Sequence, residues 1–206
     1  MRQKIVPNAS AEAIESLYYA FMAEPDEELK SICEEVLKTI LKLQKPDGSW
    51  DYATYHDGSV RKQLDFHQGY MIDGLIAGLQ MVESETLKTQ IEEAIIKGAE
   101  FYRGMFHPDG RAFYRNEKKM PTEIHNQTQG IITFSKLYCT FGKKEDIDFA
   151  MKVAKWTIQN MQDKEGYFYY TKGKYFANKI PYMRWNEAWM LVALTTLIET
   201  LNLREK

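Results

Sequence analysis

Apolar positions recur at helical spacing along most of the chain and divide it into seven segments. The first predicted helix runs from about Ala9 to Ala23, after Pro7-Asn8. The second spans about Asp26 to Leu43, with Leu29, Ile32, Cys33, Val36, Leu37, Ile40 and Leu41 at helical spacing. The third covers Asp65 to Glu83. The fourth covers Glu85 to Phe106, with Leu87, Ile91, Ala94, Ile95, Gly98 and Phe101 on one stripe. The fifth runs from Thr122 to Phe141, the sixth from Lys144 to Met161 and the seventh from Tyr182 to Leu201. The second, fourth and sixth are charged on one face, as a solvent-facing helix should be. The third, fifth and seventh are apolar over most of their circumference, as in Trp189-Met190-Leu191-Val192-Ala193-Leu194. A helix apolar nearly all round is a buried one. Outer and inner helices are therefore expected to alternate.

A related loop follows each outer helix. The first contains Pro46-Asp47-Gly48-Ser49-Trp50-Asp51-Tyr52, the second His107-Pro108-Asp109-Gly110-Arg111-Ala112-Phe113-Tyr114, and the third Lys164-Glu165-Gly166-Tyr167-Phe168-Tyr169. Each has an acidic residue, a glycine and an aromatic stretch. The glycine suits a tight turn that needs positive φ, and the aromatics suit a short hairpin. The glycines recur about every 60 residues, the length of a helix pair plus an elaborated loop. Each loop leads into the N-terminus of an inner helix. The loops and inner-helix N-termini are thus expected to gather at one end, which favours anions.

The inner helices begin with unusually polar turns. The third opens Asp65-Phe66-His67-Gln68, the fifth Thr122-Glu123-Ile124-His125-Asn126-Gln127-Thr128-Gln129, and the seventh Tyr182-Met183-Arg184-Trp185-Asn186-Glu187. Polar groups on buried helices need partners or a wet cavity. Asp65, Glu123 and Glu187 are the carboxylate candidates for catalysis, and His67 and His125 the proton-transfer candidates. Asp65, Thr122 and Glu123 also fit a plain role as caps, and each histidine a structural one. Arg184, between Met183 and Trp185, calls for an acidic partner such as Asp65, Glu123 or Glu187, or for an anionic ligand. Trp50, Tyr52, Tyr182 and Trp185 are candidate stacking walls for a sugar, with Asn126 and Gln129 as further binding groups. For Tyr114 and Tyr169, packing within the hairpin is preferred.

Composition narrows the function. Of 206 residues, 44% are hydrophobic and 27% charged, and the formal net charge of -2 argues against a general nucleic-acid binder. Aromatics reach 13%, with 13 Tyr and 4 Trp, many beside Gly and Asp in loops, which favours a surface that stacks on ring-shaped ligands. Cys33 and Cys139 lie far apart in helical patterns and are expected to be buried thiols of a reducing compartment. No Cys/His cluster has metal-ligand spacing, so neither metal nor cofactor is expected. Met1 to Ser10 lacks the apolar run of a signal peptide, and no stretch approaches the roughly 20 apolar residues of a membrane span. The expected location is cytoplasmic.

The first loop around Pro46-Asp47-Gly48-Ser49-Trp50, the segment Glu123 to Gly130 and the segment Pro181 to Trp189 resemble the six-hairpin-glycosidase-like α/α-toroid proteins of bacteria and archaea. Among these they look most similar to the VpsJ-like proteins associated with polysaccharide biosynthesis. The resemblance covers the chain from about Leu41 onward. It implies an all-α single domain over residues 1–206, an α/α toroid with short hairpin-like loops at one end, and a carbohydrate ligand. The wider superfamily includes hydrolases, lyases and epimerases, so the fold does not choose the reaction. A ring of six hairpins needs two helices for each, and the sequence predicts seven helices. The chain is then the C-terminal half of a longer toroid, an open toroid, or a subunit that associates with copies of itself.

Three functions follow. In an enzyme acting on a poly- or oligosaccharide, hydrolysis would use two of Asp65, Glu123 and Glu187 as acid and base. Lyase or epimerase chemistry would use Arg184 or Asn126 to neutralise a uronate and His67, His125 or Tyr182 to move protons. The other two are a glycan-binding component without catalysis and a helical-repeat scaffold for a protein partner.

Overall fold

A computed structural model describes residues 4–204. Contacts divide the chain into two compact units, Met1–Arg103 and Gly104–Lys206.

The first unit contains β1 (Lys4–Ile5), α1 (Pro7–Ala23), α2 (Glu27–Leu43), β2 (Ala53–Tyr55), β3 (Val60–Arg61), α3 (His67–Leu79) and α4 (Glu85–Arg103). Asp26 caps α2 by accepting a 2.7 Å hydrogen bond from the Glu28 amide, which satisfies one of the helix's free N–H groups. Along α2, Cys33, Leu37 and Ile40 face inward. α3 is buried along most of its length and packs on α1, with Met71, Ile72 and Leu75 in the core. The strands form an antiparallel sheet in the order β1-β2-β3, with Ala53 opposite Arg61.

The second unit contains β4 (Thr122–Glu123), α5 (Ile124–Phe141), α6 (Lys144–Met161), β5 (Thr171–Lys172), β6 (Ala177–Asn178), a π-helical turn (Met183–Glu187) and α7 (Ala188–Arg204). α5 packs against both α6 and α7. Phe106, Phe134 and Phe149 form an edge-to-face cluster in its core, with ring centroids 4.7–6.1 Å apart. β4, β5 and β6 form a second antiparallel sheet, in which Glu123 lies opposite Thr171.

Among the described residues, seven α-helices stand where the periodicity puts them, and the loop glycines Gly48, Gly110 and Gly166 all have positive φ. Four details differ. Asp65 precedes α3, which starts at His67, and Thr122 and Glu123 are strand residues ahead of α5. The seventh helix opens as a π-turn. α7 is not buried all round: Leu191, Val192, Ile198 and Leu203 are exposed, because within its unit only one side meets neighbouring helices. Cys33 is buried as expected, but Cys139 is exposed near the end of α5.

Candidate functional site

The three loops are anchored by one device. The backbone N–H two residues after the turn glycine donates to a side-chain carbonyl or carboxylate oxygen in the following helix entry. Trp50 donates to Gln68 Oε1 at 2.9 Å, Ala112 to Gln127 Oε1 at 2.5 Å, and Phe168 to Glu187 Oε1 at 3.0 Å. Glu187 therefore occupies a position filled by glutamine in the two earlier repeats. Next to it, Asn186 Nδ2 donates to the carbonyls of Phe168 and Ile180, as Asn126 Nδ2 donates to those of Phe113 and Tyr114. Asn126 is thus a buried loop anchor, and Gln129, also buried, donates to Thr133 Oγ1 one turn along α5.

In the first unit the expected residues Asp65, His67 and Tyr52 come together. Asp65 is buried, and its Oδ1 accepts from the His67 backbone N–H and forms a short hydrogen bond with His67 Nδ1. Its Oδ2 accepts from Gln63 Nε2 at 2.8 Å, and Gln63 Oε1 in turn accepts from Arg61 Nη2 at 2.8 Å. The imidazole of His67 stacks on Phe66 at 4.2 Å and meets Tyr52 and Tyr70 edge-on. Arg61 lies over the Tyr52 ring, 4.6 Å from its centre. Burial holds the Tyr70 hydroxyl protonated far beyond neutral pH, with the nearby carboxylates acting in the same direction. Burial also raises the Glu12 carboxyl on α1, and a charge on His67 works against that rise. Arg61, Gln63 and Glu12 escaped the sequence reading. The available signal was spacing alone: Arg61, Gln63, Asp65 and His67 sit at every second position from the end of β3 to the first residue of α3.

Trp50 does not join them. It is 1% exposed, its Nε1 donates to the Ile40 carbonyl, and its ring packs where a Cβ on Gly98 would meet it at 2.9 Å. That core position leaves no ring face for a sugar.

In the second unit Glu123, 7% exposed, accepts a 2.9 Å hydrogen bond from the indole Nε1 of Trp185. Tyr170 also hydrogen-bonds Glu123; burial, and then the Glu123 charge, push the Tyr170 hydroxyl up to about 12. His125 is buried between Trp185 and Trp189, with ring centres 4.6 and 4.8 Å away. Tyr170, Tyr182, Met183, Arg184 and Trp185 line a pocket of about 440 Å³. The Tyr170 and Tyr182 rings meet edge-on, 5.3 Å apart. Arg184 is exposed at the mouth and makes no ion pair among the described residues. The acidic partner expected for a buried helix is not needed, because the π-turn holds the guanidinium in solvent. The other two hairpin tyrosines pack locally: Tyr169 donates to Asp163 Oδ2 at 2.8 Å, and Tyr114 carries Arg115 and Lys118 over its ring.

Among the described residues, no cluster of His, Cys, Asp or Glu is placed to hold a metal ion, and no helix is long and apolar enough to cross a membrane.

Neither a family model nor a curated protein matches the sequence. Solved structures do match the fold. A sugar epimerase from a ruminal bacterium superposes with a TM-score of 0.72 at 17% identity, over 86% of this chain and 50% of the epimerase. An unsaturated glucuronyl hydrolase of a Bacillus species, responsible for the degradation of glycosaminoglycan, gives 0.66 at 16% identity, over 95% of this chain and 58% of the hydrolase. An inactive variant of a Salegentibacter α-1,6-mannanase in complex with α-1,6-mannotriose gives 0.66 at 12% identity, over 82% of this chain and 48% of the mannanase. The chain spans about half the length of these neighbours. The shared fold is an α/α-toroid arrangement of helical hairpins.

Proposed function

We propose that the protein is carbohydrate-active and engages a poly- or oligosaccharide at the second unit's aromatic pocket, with Arg184 reading an acidic group such as a uronate carboxylate. The observation that carries this reading is the pairing of an unengaged guanidinium with ring-bearing walls. Trp185 and Tyr182 offer faces for a sugar, and Glu123 fixes Trp185 through its indole N–H. Arginine's planar fork suits bidentate recognition of a carboxylate. Glu123 stands beside the pocket as its carboxylate, and Asp65 and His67 form the acid–base pair of the first unit. The fold neighbours, whose names speak of mannanase, glucuronyl hydrolase and epimerase activities, support the ligand class. The resemblance to VpsJ-like proteins extends the reading to polysaccharide biosynthesis.

Thermal unfolding with neutral sugars, uronic acids and acidic oligosaccharides tests it. A ligand at about 100 times its Kd adds roughly 2.7 kcal/mol of stability. Uronates are expected to raise the melting temperature of the native protein and to lose that effect in Arg184→Ala. No shift with any sugar would overturn the reading. It would favour the second one, a helical-repeat scaffold for a protein partner, which the exposed apolar side of α7 supports.

A further inference from the structure

The chain Arg61–Gln63–Asp65–His67 is built in a way that the turn into α3 alone does not require. That turn needs only Asp65 Oδ1 on the His67 amide. Here the same oxygen also holds His67 Nδ1, while Oδ2 is held by Gln63, which is itself held by Arg61. Both oxygens of a buried carboxylate are thereby fixed, and the ring they orient is clamped by Phe66, Tyr52 and Tyr70. An ionised carboxylate only accepts hydrogen bonds, so it selects the imidazole form with the proton on Nδ1. The lone pair then sits on Nε2, which makes no hydrogen bond among the described residues.

We propose that Arg61, Gln63 and Asp65 form a hydrogen-bonded relay that holds neutral His67 with its lone pair on Nε2, making His67 the proton acceptor of the first unit and the other three its positioning residues. In the step this serves, an O–H or C–H bond of the donor breaks. The electron pair stays on the donor, the proton goes to Nε2, and the resulting imidazolium faces Asp65. That the donor is a sugar rests on the functional reading above; the relay itself does not. Glu12 from α1 is the other acid that senses His67.

The test uses the whole chain and no sugar. Nitrogen-15 NMR should find neutral His67 protonated on Nδ1. Diethyl pyrocarbonate at about pH 7.5, with sites mapped by mass spectrometry, should carbethoxylate His67. Asp65→Ala removes the acceptor of Nδ1–H, so the neutral ring should lose its preference for the Nδ1–H form and react several-fold more slowly. Gln63→Leu and Arg61→Ala should slow it several-fold, and Arg61→Lys, which keeps a donor for Gln63, should restore the rate. Wild-type His67 in the Nε2–H form, or an unchanged rate in Asp65→Ala and Gln63→Leu, would overturn the relay and leave the glycan reading standing. Failure of the sugar screen would leave the relay standing.

Discussion

Glu187 illustrates how one atom-level contact changes the meaning of a residue. As a lone carboxylate beside two tryptophans it reads as a general acid. In the structure its Oε1 accepts from the buried Phe168 amide, the duty performed by Gln68 and Gln127 at the corresponding places. A glutamine carbonyl can accept the same bond. Glu187→Gln should therefore leave the melting temperature within about 2 °C of wild type, whereas Glu187→Ala orphans the Phe168 N–H and should cost about 1–3 kcal/mol. Calorimetry on both variants decides this. A lost turnover with unchanged melting in Glu187→Gln would return the residue to catalysis. The two cysteines separate in the same way. Burial pushes the Cys33 thiol up to about 11, so at about pH 8 only about a thousandth of it is the reactive thiolate. Cys139 is exposed and should react with Ellman's reagent at once, while Cys33 should wait for denaturant. Two fast thiols in the native protein would contradict the buried position. Apolar spacing marked both as helical, but near the end of α5 it could not tell an inward position from an outward one.

Among the elements, α1 and α3 meet more closely than side-chain packing alone allows. A Cβ on Gly74 would stand 2.5 Å from the Ala11 carbonyl oxygen, and backbone cannot step aside as a flexible side chain does. Gly74→Ala should lose about 1–3 kcal/mol on thermal unfolding, despite alanine's better helix propensity. A neutral or stabilising result would mean that the helices separate freely. The helices were legible because each buries a stripe, and stripes survive in sequence as period-3.6 patterns. The loops were legible because positive φ selects glycine, as at Gly48 and Gly110. The π-turn at Met183–Glu187 was not legible, since a one-residue change of hydrogen-bond register leaves no mark on a five-residue pattern. The site was legible in part. Asp65 with His67, and Glu123 with Trp185, were candidates individually, but their pairing depends on side-chain reach, and Gln63 and Arg61 lie ahead of the third helix in a stretch where periodicity marks no site residue. Trp50 was misassigned because an aromatic residue in a Gly-rich loop carries no sign of which way its ring turns.

For the molecule as a whole, the sequence treats α7 as a core helix and the structure leaves one side of it in water. Leu191 is 68% and Ile198 57% exposed, with Val192 and Leu203 beside them on the same face. Period and composition report how much of a helix is apolar; they do not report whether a neighbour exists to cover it. Exposed apolar surface on this scale promotes association, at roughly 25 cal/mol for each Å² later removed from water. The small net charge of -2 offers little repulsion against it. Sedimentation velocity should therefore show the average mass rising with protein concentration. Leu191→Glu combined with Ile198→Lys should suppress that rise. Because both side chains point away from the core, the double variant should melt within about 2 °C of wild type. If the wild type stays monomeric over the whole range, the α7 face is not adhesive, and the scaffold reading loses the observation that supports it. If the double variant unfolds instead, α7 packs through that face within the chain, and the exposed stripe is wrong.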